Sequence, residues 1–121
     1  MPPVDLTGLT GEQYLYLTTT GRVTGLPREI EIWYVFNAGR FYVLAEHFHA
    51  AQWVKNIQRQ PHVRVRIAGR TFEALARVLD EERDTEAWQT TQRLGREKYG
   101  WGDGLPVEIT LVAVSNVANT G

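Results

Sequence analysis

A chain of 121 residues with 43% apolar content suits one domain with a real hydrophobic core, spanning 1–121, and leaves no room for a second of comfortable size. The absence of cysteine excludes a disulfide framework, a thiolate metal site and a cysteine nucleophile, and fits a cytoplasmic setting. The net charge of −1 hides an uneven distribution, +5 over residues 22–70 and −4 over 71–121, and all but two of the thirteen cations are Arg; a small anionic ligand fits that pattern better than nucleic acid does.

In chain order, residues 1–12 read as a polar, flexible start with neither a basic segment nor a sustained apolar run. Tyr14 to Thr20 is aromatic, aliphatic and β-branched, the composition of a strand. The connection that follows, Gly21-Arg22-Val23-Thr24-Gly25-Leu26-Pro27-Arg28, carries more than a turn requires. Its two glycines can adopt positive φ so that successive N–H groups converge, and Arg22 and Arg28 bring donor forks to the same place, as an anion such as phosphate would need. An ordinary connection with solvated arginines is the plainer reading, since no strict phosphate-loop motif is present.

Residues 29–36 alternate polar and apolar before turning apolar on both faces, and with 41–45 they make an antiparallel hairpin around Asn37-Ala38-Gly39-Arg40. The aromatic residues on these strands, Trp33, Tyr34, Phe36, Phe41 and Tyr42, read as core. Between 49 and 60 the spacing of Ala50, Trp53, Val54 and Ile57 is helical, and Pro61 ends it. His62 to Ile67 alternates cleanly. A two-residue turn at Ala68-Gly69 places Arg64 opposite Glu73 and Val65 opposite Phe72 on the next strand, 71–79. A second helix is predicted over 81–99 with Asp80 as N-cap, acids in the first turn and cations at the end. A sixth strand covers 107–114, and 115–121 reads as a flexible tail. Six strands and two short helices without β-α alternation predict a small antiparallel barrel.

Few side chains can react. One serine, Ser115, and no cysteine all but exclude a nucleophile-base site. Glu46, His47 and His49 lack a clear further ligand and read as no metal site, although either histidine can donate a proton beside a ligand. Trp101 stands in a loop with Gly100, Gly102 and Gly104, where core periodicity does not place it, and such a loop can fold over a ligand. An anion site, many aromatics and few reactive groups are the profile of a protein whose bound cofactor carries the chemistry.

The run from Thr18 to Arg28, the Trp33-Tyr34 strand, the Trp53-x-x-Asn56 helix and Pro61, in that order and spacing, resemble the deazaflavin-dependent nitroreductase family. The resemblance implies the split β-barrel of flavin reductases and pyridoxamine-phosphate oxidase. It also implies hydride transfer from the reduced deazaflavin coenzyme F-420 to a quinone, a nitroaromatic or an activated C=C bond. Carried over, Arg22, Thr24, Gly25, Pro27 and Arg28 are cofactor-binding, with Val23 where relatives commonly have Lys; Ala45, Glu46, His47 and Phe48 border the ring; and Trp53 and Asn56 shape its pocket. Tyr99 and Trp101 fall on the substrate side, and His47, His49 and Tyr99 are the candidate proton donors. An FMN flavoprotein of the same barrel and a non-catalytic carrier of a small anionic or apolar ligand are the competing readings. A homodimer and a small-molecule substrate are the expected partners, with no membrane span, because no apolar run approaches the ~20 residues a spanning helix requires.

Overall fold

The computed structural model describes residues 4–115. The strands are β1 (Tyr14–Thr20), β2 (Pro27–Asn37), β3 (Arg40–Ala45), β4 (His62–Ile67), β5 (Arg70–Val78) and β6 (Leu105–Val114). Helix α1 (Gln52–Arg59) lies between β3 and β4, preceded by a 3₁₀ turn at Phe48–Ala50, and α2 (Thr85–Tyr99) lies between β5 and β6. All neighbouring strands are antiparallel and the sheet closes on itself in the order β1-β2-β3-β6-β5-β4, so the expected six-stranded split barrel is the observed fold. Closure leaves no open sheet edge around most of the circumference.

The alternation of the strands decides what fills the barrel. Leu15 and Leu17 of β1, Val63, Val65 and Ile67 of β4, Phe72 and Ala74 of β5, and Val107 and Ile109 of β6 all point inward and are buried, together with Phe41 and Val43. A second cluster forms outside the barrel wall, where α1 and α2 cover Val35, Tyr42, Ala45 and Leu105 with Val54 and Trp88. Both hairpin turns use paired left-handed residues, Ala38 (φ 52) with Gly39 (φ 80) and Ala68 (φ 51) with Gly69 (φ 75). That geometry matches the twist of the flanking strands. The β4–β5 register places Arg64 opposite Glu73 and Val65 opposite Phe72 as expected, and Arg64 Nε donates to Glu73 Oε2 at 3.0 Å.

β2 is the strand that positions the site, because it changes partner part-way along. Pro27 to Trp33 pair with β1, whereas Tyr34 to Asn37 pair with β3. Beyond Val43, β3 continues alongside β6 through Leu44 and Ala45. The two strands therefore diverge at Tyr34, and one edge of β2 over 27–33 faces a gap instead of a strand.

Within the N-terminal segment Leu9 is fully buried, its carbonyl accepts the Tyr34 hydroxyl at 2.6 Å, and that same hydroxyl accepts the Glu12 N–H at 3.0 Å. Ser115 is likewise buried, its N–H donating to the Thr71 carbonyl at 2.9 Å; the rest of the expected tail, 116–121, lies outside the described residues. Helix α2 begins at Thr85 and not at 81. Asp80 caps a preceding turn, its Oδ1 accepting the N–H groups of Glu82 and Arg83 at 2.9 Å, while Asp84 holds the N-cap position with its carboxylate turned to Arg77 and the Asp80 N–H.

Candidate active site

The divergence of β2 from β3 opens a cleft of about 640 Å³. Its walls come from Ile30 to Val35 of β2, the stretch over which that strand exchanges partners, from Tyr42 and Leu44 of β3, from Glu46, His47, Ala51 and Trp53 around the start of α1, and from Tyr99 at the end of α2 and Trp101 beyond it. Trp33, Trp53, Tyr99 and Trp101 give it flat apolar surface, while Glu31, Glu46 and His47 supply polar groups.

Trp33 belongs to this wall, contrary to the expectation that it is core: it is 46% exposed and stacks on Tyr99 with ring centroids 4.4 Å apart and planes 6° from parallel. The signal was present in the alternation, since Trp33 shares its face with Glu29 and Glu31. Tyr99 in turn is fixed by its hydroxyl, which lies 2.7 Å from the carbonyl oxygens of Gln13 and Tyr34 and accepts the Tyr34 N–H at 3.0 Å. Those backbone groups sit just past the last β1–β2 pair, Tyr14 with Trp33, so the hydroxyl takes the place of the missing strand. Lys98 reinforces the same point, its ammonium donating to the Tyr34 and Glu12 carbonyls at 3.0 and 2.8 Å and lying 4.0 Å over the Tyr34 ring.

The arginine loop is built differently from the sequence expectation. The Gly21 N–H donates to the Leu26 carbonyl and the Gly25 N–H to the Gly21 carbonyl, both at 2.8 Å, and Thr24 Oγ1 accepts the Leu26 N–H at 3.2 Å. The loop's N–H groups thus close the loop on itself and do not converge on an anion. Gly25 does adopt positive φ (72), but Gly21 is glycine for space, because a Cβ there would lie 2.9 Å from Thr24 Oγ1 and 3.1 Å from the Leu26 carbonyl. The cations remain available. Arg28 is exposed, and its guanidinium has no hydrogen-bond partner among the described residues. Arg22 reaches α1: its Nη1 and backbone N–H both donate to Asn56 Oδ1 (3.0 and 3.1 Å), and its Nη2 donates to Gln52 Oε1 at 2.7 Å. Those bonds leave its Nε–H and one hydrogen on each Nη free.

Asn56 is 5% exposed and also donates from Nδ2 to Thr19 Oγ1 at 3.2 Å, so one buried amide joins β1, the loop and α1. Its place is behind the cleft wall and not in it. Helix α1 starts without a side-chain cap, from Ala51, and without an acid in its first turn, so its first N–H groups and positive dipole end stay open beside Trp53 and Arg22.

Of the other predicted site residues, Glu46, His47, Trp53, Tyr99 and Trp101 are brought together in the cleft. Ala45 lies buried behind it. Phe48, His49, Pro27, Thr24 and Gly25 do not line it; His49 Nδ1 faces Gln58 Nε2 at 3.3 Å, and Gly25 and Pro27 line a smaller hollow with Thr18 to Thr20, His62 and Arg64 on the far side of β1. Among the described residues, no three His, Cys, Asp or Glu side chains are grouped to hold a metal, and no helix is long and apolar enough to cross a membrane.

Burial pushes the Tyr99 hydroxyl up to about 12 and holds the Lys98 ammonium below its ordinary value. For Tyr99 the folded chain keeps a proton that the unfolded chain loses near pH 10, so its contribution is complete below pH 10 and disappears as pH rises toward 12. Lys98 acts in the opposite sense just below pH 10.5, where the unfolded chain holds the extra proton. Chemical denaturation of Tyr99→Phe between pH 10 and 12 is expected to show a shallower loss of stability than the unaltered protein, at lower stability overall.

The sequence matches the family described as F420H(2)-dependent quinone reductase over residues 6–111. Solved structures share the fold. A structure of an F420-H2 dependent reductase (FDR-A) is 22% identical and superposes with a TM-score of 0.62, covering 93% of this chain and 99% of that one. An FAD-binding protein from Mesorhizobium loti gives a TM-score of 0.71 at 11% identity, over 87% and 85% of the two chains. A structure from Listeria innocua assigned to pyridoxamine 5′-phosphate oxidase gives 0.59 at 18% identity, over 84% of each.

Proposed function

The chain belongs to the F420H(2)-dependent quinone reductase family and is an F-420-dependent oxidoreductase, and we propose that the β2–β3 cleft is where it brings the deazaflavin and a flat organic acceptor together. The observation that carries this reading is the arrangement of the cleft: aromatic walls of a size for a fused ring system, with Arg22 and the uncapped start of α1 at one end. The residues present fit the coenzyme. Trp53, Ile30 and Ile32 would lie against its ring system, while Arg22, Arg28 and the free N–H groups of α1 would hold its anionic groups. Thr24 and Gly25 serve by shaping the loop.

When bound, the reduced deazaflavin supplies hydride to the acceptor. The protein's part is to hold the two at near-attack distance and to deliver a proton, since a quinone that gains hydride needs one proton more to become the hydroquinone. Three tyrosine hydroxyls near the cleft are committed elsewhere: Tyr99 to Gln13 and Tyr34, Tyr34 to Leu9, and Tyr42 to Glu108 Oε2 at 3.0 Å. His47, at the cleft wall with an imidazole ring that has no hydrogen-bond partner among the described residues, is the side chain left to protonate the acceptor oxygen. The fitting acceptor class is a quinone, then a nitroaromatic or enone. A cytoplasmic setting, where the donor is kept reduced, and a homodimer that covers the exposed Leu75 and Val112 complete the reading.

Titration with F-420, followed by its fluorescence, is expected to show saturable binding, and absence of binding at tens of micromolar would overturn the reading. A protein that purifies yellow and releases FMN on denaturation would move the assignment to the flavoprotein alternative. With one or more charge-assisted hydrogen bonds at stake, Arg28→Ala is expected to weaken F-420 binding by roughly 10- to 150-fold with little change in folding. His47→Gln is expected to lower turnover with menadione on the order of 10²-fold and to leave F-420 affinity alone, which a stopped-flow and titration pair would measure.

A further inference from the structure

We propose that Gly95, Gly102 and Gly104 are positioning residues that press Trp101 into the cleft as a fixed wall, and that this wall selects acceptors by thickness. The inference rests on the cleft's being the acceptor site. None of the three glycines has the left-handed φ that favours glycine, unlike Gly100 (φ 77), which ends α2 in open space. Room is what requires them. A Cβ on Gly102 would stand 2.0 Å from the Gln92 carbonyl oxygen and 3.0 Å from the Arg96 nitrogen; on Gly95, 2.8 Å from Leu44 Cδ1 and 3.0 Å from the Trp101 carbonyl oxygen; on Gly104, 2.8 Å from Trp101 Cη2 and 2.9 Å from the Ala45 carbonyl oxygen.

The loop after α2 is therefore packed directly onto α2 on one side and onto the end of β3 on the other. Two further contacts hold it: Gln92 Nε2 donates to the Gly104 carbonyl at 3.0 Å, and Arg96 pairs with Asp103 at 3.5 Å. The Trp101 indole rests on Gly104 and faces the cleft, where Leu44, itself pressed against Gly95, is its neighbour in the wall. Interiors packed this closely do not yield without loss of contacts, so an acceptor must fit the gap that Trp101 leaves. Flat rings pass; rings with substituents out of their plane meet the indole.

Two measurements test this. The first compares kcat/KM for 1,4-benzoquinone and 2,6-di-tert-butyl-1,4-benzoquinone with reduced F-420 in the unaltered enzyme and in Trp101→Ala. The ratio of bulky to flat is expected to rise at least about tenfold in Trp101→Ala, with F-420 affinity within threefold. An unchanged ratio would overturn the proposal, because a merely structural tryptophan lowers both rates together. The second is a thermal-melting cycle that needs no cofactor. Gly104→Ala is expected to lower the melting temperature more in the unaltered chain than in a Trp101→Ala background, since the indole is one of the two obstacles to the new methyl; equal shifts would overturn the clamp. If the unaltered protein reduces neither quinone, the functional reading fails while the melting cycle still decides whether Trp101 is held by the glycines.

Discussion

One buried carboxamide sets the geometry on which the site depends. Asn56 is the polar residue of α1 that lies in the interior, and burial of an amide is tolerated only with its hydrogen bonds made. It makes them to three groups on two residues distant in sequence from it: the hydroxyl of Thr19 at the end of β1, and the backbone and guanidinium of Arg22 in the loop. Removing the amide would leave a buried hydroxyl and a backbone N–H without partners, at about 1 to 3 kcal/mol each. The same bonds place Arg22 at the start of α1, beside the Trp53 wall. On the proposed reading, a stability contact and a ligand-positioning contact are here the same contact.

The opposite end of the cleft is held by comparable means. β2 cannot pair on both sides along its whole length, because its two neighbours each accompany only part of it. The point of exchange exposes the Tyr34 backbone, and Tyr99 and Lys98 answer it from α2. Their cost is local; the gain is a rigid plate, Tyr99 on Trp33, at the edge of a gap that the barrel needs in order to admit a planar ligand. A cleft prepared before binding loses less on ordering when the ligand arrives.

Much of the fold was legible because period-two alternation and turn chemistry are local. The Arg64–Glu73 register followed from counting across Ala68-Gly69, and the Asn37–Arg40 turn from its glycine. The start of α2 was less so: Asp80 read as its cap with Asp84 in the first turn, whereas Asp84 holds the N-cap position with its carboxylate drawn away by Arg77 from a neighbouring strand. Leu9 is an apolar residue among Gly, Thr and Glu, and it packs with core residues of strands distant in sequence, which no window around residue 9 contains. For the site, the cations of the loop were readable but the direction of its N–H groups was not, since two glycines serve a self-closed loop as well as an anion nest. Trp33 was hidden by the apolar run after it, although its alternation with Glu31 marked the outer face. The roles of Gly95, Gly102 and Gly104 are contacts between separated segments and leave no trace in spacing.

The central claim is that Asn56 acts on the coenzyme through Arg22. A double-mutant cycle on F-420 affinity tests it most directly, with Asn56→Leu, Arg22→Ala and the pair compared by fluorescence titration on protein shown to be folded by circular dichroism. The account predicts that each single change weakens binding and that the double change weakens it little further, because both remove the same placed guanidinium. Losses that multiply would contradict it, showing that Asn56 supports the fold and Arg22 binds, or fails to bind, independently of it.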